Sequence, residues 1–193
     1  TACYNTCRGL ASLGIEVDVI TSAFRDLPRH EIVDGVSVVR VPALRKKPLE
    51  STTAEIASFF LSASVEASRS SLMHPPDLIH TYFGLPSGAI GWSIRKLLKV
   101  PYLISFRGRD VHGGHAKDHE GIQGPMRWLS RPVWRSADAL VANSEGLRDI
   151  ALNVLPDADV GVIPNGIDTA KFYPEAKGPR PTVKALYVGR LEP

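Results

Sequence analysis

The sequence predicts an α/β fold, a parallel sheet with helices on both of its faces. Three observations carry this expectation. Short runs such as Tyr102–Phe106 (YLISF) and Ala139–Asn143 (ALVAN) have strand length and are nearly all apolar. Segments with apolar residues at helical spacing alternate with these runs along the chain. The runs also lack the polar alternation of a half-solvated strand, so both faces of the sheet should be covered.

Each element follows in order. Residues Thr1 to Leu13 predict a helix with Cys3, Cys7, Leu10 and Ala11 on one side, and Gly14 suits its C-terminal cap. Glu16–Thr21 (EVDVIT) is a β-branched strand, and after a polar loop Val36–Val41 (VSVVRV) is another. Thr52–Leu72 places Ile56, Phe59, Phe60, Ala63 and Ala67 at helical spacing. Leu78–Tyr82 (LIHTY) is strand-like and leads into a helix from Ser87 to Lys99. After YLISF and ALVAN comes a helix bearing Leu147, Ile150, Ala151 and Val154, then a short strand at Val160–Pro164. Residues 174–181 (PEAKGPRP) form a linker, which makes 1–173 one domain. Residues 182–193, with KALYVGRLEP, predict the first strand of a second domain. The first element is a helix, whereas a doubly wound sheet usually starts with a central strand. A strand and loop are therefore expected upstream of Thr1.

Composition sets outer bounds. In 193 residues, Lys plus Arg number 23 against 20 Asp plus Glu, so overall charge demands no nucleic-acid partner. No apolar run approaches the roughly 20 residues needed to span a bilayer. Residues 1–10 lack the basic-then-apolar layout of a secretory signal. The two cysteines fit neither a zinc pattern nor a CxxC motif, and four-residue spacing predicts packing on one helix face. A reducing cytoplasm fits.

Four segments in order carry a resemblance: DLIHTYFGLPSG (Asp77–Gly88), SFRGRDV (Ser105–Val111), ADALVANSEGL (Ala137–Leu147), and VIPNGID with KFYP (Val162–Pro174). With LYVGRLEP at the end, they resemble the family-four retaining glycosyltransferases of GT-B architecture. The resemblance covers nearly the whole chain. It implies two facing Rossmann-like domains, a nucleotide-sugar donor rather than a bound cofactor, and a sugar or lipid-linked acceptor. The present residues would form the acceptor side. The main catalytic groups are expected in the C-terminal domain, so this half alone should be inactive. Cytoplasmic placement follows, with peripheral contact at the inner membrane face as an extension. A nucleotide-sugar epimerase of the same architecture, and a non-catalytic carbohydrate- or membrane-binding module, are the alternatives. IPNGID and VGRL speak against the epimerase.

Within this frame, loops after parallel strands should hold the binding groups. Arg107, Gly108 and Asp110 follow YLISF. Arg107 can fork onto a phosphate or carboxylate, Gly108 admits close backbone approach, and Asp110 can accept from sugar hydroxyls. An internal Arg107–Asp110 ion pair is the structural alternative. The resembled family more often carries His-Gly-x-Asp here, and Arg107 stands at the His position. An arginine cannot release a proton near neutral pH, so imidazole chemistry is not expected there. His80, Thr81 and Tyr82 precede a turn at which Ser87 is placed to cap the next helix, and free N–H groups there suit an anion. His80 also reads as a core histidine, and Tyr82 as an acceptor contact. Asn143, Ser144 and Glu145 end ALVAN and open a helix, with Ser144 as its cap. Asn165 and Gly166 suit a tight turn. His112, His115, Asp118, His119 and Glu120 do not make a metal site, because Gly113, Gly114, Gly121 and Gly124 mark a flexible loop. In residues 126–137, Met126, Leu129, Val133 and Ala137 share one helical face. Arg127, Trp128, Arg131, Trp134 and Arg135 gather on the other, a pattern suited to an anionic membrane surface or a lipid-linked acceptor, or simply to a solvated basic face with partly buried tryptophans. Pro132 predicts a kink or break.

Overall fold

A computed structural model describes residues 2–45, 52–108, 111 and 120–174, with the side chains of 120–127 outside the description. Helix α1 spans Ala2–Ser12 and ends at Gly14, whose φ of 81° only glycine adopts easily. Its Cys3 and Cys7 Sγ atoms lie 3.9 Å apart, with Cys7 buried. Burial, and then Cys3, push the Cys7 thiol up to about 11, so it stays protonated and packs as a small apolar group.

Strand β1 (Asp18–Ser22) pairs in parallel with β3 (Val36–Val41). Between them in sequence, though not in the sheet, lies β2 (His30–Val33), antiparallel to β3. The expected polar loop is therefore partly a strand. Asp34 and Gly35, at φ 48° and 79°, make the two-residue turn that joins β2 to β3. Helix α2 (Thr53–Met73) opens with a reciprocal cap. Thr52 accepts from Glu55 N, and the Glu55 carboxylate accepts from Thr52 N. After it come β4 (Ile79–Tyr82), α3 (Ser87–Leu98), β5 (Tyr102–Phe106), α4 (Glu120–Arg135), β6 (Ala139–Ala142), α5 (Glu145–Val154) and β7 (Val160–Val162).

The strands form two ladders: a mixed one ordered β1-β3-β2, and an all-parallel one ordered β4-β5-β6-β7. The parallel ladder carries the core. Tyr102, Ile104 and Phe106 of β5 are fully buried beneath Val133 and Trp134 of α4. Tyr102 ties the layers together by donating its hydroxyl to Val133 O. Helix α3 lies close over the sheet because it has no side chain at Gly91. A Cβ there would stand 2.8 Å from Thr81 Cγ2 and 3.0 Å from the Tyr102 ring.

Helix α4 differs from expectation in two ways. It runs through Pro132, and it includes Gly121 and Gly124, which the sequence assigns to a loop. Its buried stripe is Ser130, Val133 and Trp134, while Leu129 is 38% exposed. Trp134 is 1% exposed and its ring packs at a tilt against Phe106, with centroids 4.6 Å apart, so it cannot face a membrane. Arg131 donates its Nε–H to Val154 O at 3.0 Å and so braces α5. Trp128, at 77% exposure, and the exposed Arg135 keep the outward position. Lys46, Lys47, Arg109, Asp110, the 112–119 histidine loop, and the linker and strand beyond Pro174 lie outside the described residues. Among the described residues, no helix is long and apolar enough to cross a membrane.

Candidate functional site

The parallel ladder sends four strand ends to one side, and alternation decides which side chains face the cleft there. In register, His80 pairs with Leu103, Tyr82 with Ser105, and Ser105 with Val141, so these share one face. Thr81, Ile104 and Ala142 take the other face and belong to the core. Thr81 is buried and donates to Leu103 O at 3.0 Å, which makes it structural.

A cleft of about 200 Å³ opens on the first face. His80, Ser105 and Arg107 line one wall, Asn143, Asn165 and Gly166 another, and Asn5 and Thr6 of α1 close it from above. A connected set of contacts runs across it. His80 Nε2 lies 2.7 Å from Ser105 Oγ, and its ring stacks on Tyr82 at 4.4 Å. The Arg107 guanidinium sits over the same Tyr82 ring, 4.8 Å from its centroid. Arg107 Nη1 then donates to Asn165 Oδ1 at 2.6 Å. Burial, and then the Arg107 charge, pull the His80 imidazole down to about 4. At neutral pH it is an uncharged hydrogen-bonding ring. Among the described lining residues, Arg107 alone carries a fixed charge. Chemically, the cleft offers one oriented guanidinium surrounded by neutral amide, hydroxyl and imidazole groups. That suits an anionic group attached to a polyhydroxylated body.

The sequence-predicted residues divide accordingly. Arg107, Asn143, Asn165 and Gly166 meet in the cleft, with Tyr82 beneath Arg107. Gly108 follows at φ 116°, a conformation that favours glycine. Ser144 caps α5 as expected, accepting from Leu147 N at 3.3 Å. Glu145 points outward, 66% exposed and 2.6 Å from Arg148, and neither residue lines the cleft. Ser87 does not cap α3. Pro86 occupies the cap position without a side-chain bond, leaving Ser87 one residue too late, inside the first turn. Asn5 and Thr6 were not singled out from the sequence, because nothing local links α1 to loops more than 100 residues away.

The sequence profile described as Glycosyltransferase Family 4 matches residues 1–171. A D-inositol 3-phosphate glycosyltransferase of Thermomonospora curvata is 31% identical over 95% of this chain and 47% of its own length. An alpha-maltose-1-phosphate synthase of Mycolicibacterium smegmatis is 32% identical over 55% of this chain and 28% of its own length. The chain thus spans less than half the length of these relatives. Among solved structures, a sucrose-phosphate synthase from Thermosynechococcus elongatus superposes with a TM-score of 0.68 at 21% identity, covering 88% of this chain and 43% of that one. That likeness bears on the fold, which is the GT-B Rossmann-like half. By its profile and its architecture together, the chain belongs to glycosyltransferase family 4.

Proposed function

We propose that this chain is the acceptor-binding half of a retaining glycosyltransferase that draws its sugar from a nucleotide-sugar. The observation that carries the reading is the position of Arg107, held between the Tyr82 ring and Asn165 at the carboxyl ends of parallel strands. Ligands of open α/β sheets bind at such ends. Transfer from a nucleotide-sugar needs the leaving diphosphate's charge held, water excluded, and an acceptor hydroxyl placed against the anomeric carbon. Arg107 suits an anion, and Asn143, Asn165 and neutral His80 suit sugar hydroxyls. The groups that stabilise the leaving diphosphate in a front-face transfer belong, on this reading, to the second domain. The relative from T. curvata is named for a phosphorylated acceptor, which agrees with a cationic cleft.

The test is a screen of the full-length enzyme against nucleotide-sugars with phosphorylated and neutral sugar acceptors. Transfer with retained anomeric configuration supports the reading. Absence of transfer across the screen overturns it. Calorimetry on residues 1–193 supplies a second check, since this half should bind UDP- and GDP-sugars only weakly. The exposed Trp128 and Arg135 of α4 also favour peripheral contact with anionic lipid. Co-sedimentation with phosphatidylglycerol vesicles, lost in Trp128→Ala, checks that contact.

A further inference from the structure

Past β7 the chain runs in the open, yet its course is fixed at both ends. Ile163 N donates to Ala142 O at 2.9 Å, which ties the start of the segment to β6. Asp168 ties the end. Its carbonyl accepts from Lys171 N at 3.2 Å and Phe172 N at 2.8 Å, and its Oδ1 accepts from Ala170 N at 3.1 Å. On this held backbone Ile163, Ile167, Phe172 and Tyr173 are 65%, 70%, 62% and 67% exposed. Large apolar side chains gathered in solvent on an ordered backbone mark an interaction surface. The charge of the segment selects the kind of partner. Asp168 and Lys171 are the charged side chains of residues 163–174, one of each sign, so there is no basic rim to meet an anionic bilayer. Aromatic and aliphatic anchors with balanced charge suit another protein domain.

Position selects which domain. The same segment carries Asn165 to Arg107 and lines the cleft with Ile163 and Gly166. A body resting on Ile167, Phe172 and Tyr173 therefore stands beside the cleft, where the reading above needs groups for the leaving diphosphate. The sequence reads residues 174–181, directly beyond Tyr173, as a linker and 182–193 as the start of a second domain. A short tether holds such a domain at an effective concentration on the order of millimolar, so it reaches the segment ahead of any free partner. The T. curvata relative is matched over 47% of its own length, which leaves it ample chain for that domain.

Resting on the two-domain reading above, we propose that Ile167, Phe172 and Tyr173 form the seat on which the second domain docks beside the cleft.

The experiment is hydroxyl-radical footprinting of the full-length enzyme, with labelling of Phe172 and Tyr173 scaled to their intrinsic reactivities and compared with the exposed Trp128. The seat predicts about fivefold less labelling of both than their exposure here implies, as burial in an interface core requires. Labelling at the exposed level overturns it. Protection that disappears on dilution assigns the surface to a second copy, and protection gained only with phosphatidylglycerol vesicles assigns it to lipid; either result overturns the seat. Phe172→Asp in the full-length enzyme should restore labelling of Tyr173 and lower kcat about tenfold, while the acceptor KM, set in the cleft, holds. Phe172→Leu, which keeps an apolar side chain, should retain protection and kcat. Unchanged labelling of the buried Trp134 shows that Phe172→Asp leaves this half folded. Protection and kcat unchanged in Phe172→Asp would also overturn the seat. Two further outcomes separate this proposal from the enzymatic one. Sugar transfer with Phe172 and Tyr173 fully labelled removes the seat and leaves the glycosyltransferase. Protection of both with no transfer to any acceptor keeps the seat and removes the glycosyltransferase reading.

Discussion

The two faces of the parallel ladder are built on opposite terms. On one, α3, α4 and α5 close over Tyr102, Ile104 and Phe106 with no room to spare. A Cβ on Gly84 would stand 2.6 Å from Trp134 Nε1, and one on Gly91 would press on Thr81. On the other, α1 stands off the sheet and leaves a cleft whose wall is a run of polar contacts from Ser105 to Asn165. The same strands supply both, with odd and even residues divided between them. Stability should therefore reside mainly on the closed face and recognition on the open one, and substitutions can be chosen to break that division.

The largest effect should come from Trp134→Ala. It empties a fully enclosed site against Phe106 and should cost about 4 kcal/mol in urea unfolding. Gly91→Val comes next, at about 3 kcal/mol, since neither Thr81 nor the Tyr102 ring can withdraw without moving the sheet. Gly91→Ala should fall between it and the parent.

His80 sharpens the comparison through pH. Its folded pKa, about 4, lies below the ordinary 6.5, so the unfolded chain takes up a proton that the folded chain refuses. The contribution is intact above pH 6.5 and is lost as pH falls toward 4. Between pH 7.5 and 5 this amounts to about 2 kcal/mol. Unfolding curves at the two pH values should show a smaller loss in His80→Gln. Equal losses in parent and variant would remove His80 from the account.

The smallest change in stability should come from Arg107→Gln, within about 1 kcal/mol, because its ring and amide contacts are partly open to water. Its effect should appear instead as at least a tenfold loss of kcat/KM in the full-length enzyme. A stability cost matching that of Trp134→Ala would abolish the distinction between the faces.

How much of this was legible in the sequence follows the same division. Strand β5 and helix α2 were readable because their signals are local: a short, nearly all-apolar run, and Ile56, Phe59, Phe60, Ala63 and Ala67 at helical spacing. Strand β2 was missed since His30 and Glu31 are polar, as an edge strand permits. The Asp34–Gly35 pair between Val33 and Val36 was the available signal. The orientation of α4 was misjudged because two helical stripes offered similar apolar content. Packing chose the one containing Trp134, whose ring meets Phe106, a contact no periodicity contains. Within the site, Arg107 and Asn165 were each identified, but their hydrogen bond spans 58 residues and depends on β5, β6 and β7 standing in order. Ser87 failed for a smaller reason, a cap displaced by one position.

The two strand orders have a consequence for how the chain assembles. In β4-β5-β6-β7 every strand lies beside its predecessor, so during synthesis each one emerges next to a partner already in place. This ladder can lengthen one rung at a time in the direction of translation, closing only modest loops. In β1-β3-β2 the middle place belongs to the last of the three made, so within this ladder β1 and β2 take their places only when β3 arrives between them. One half of the molecule grows, and the other snaps shut.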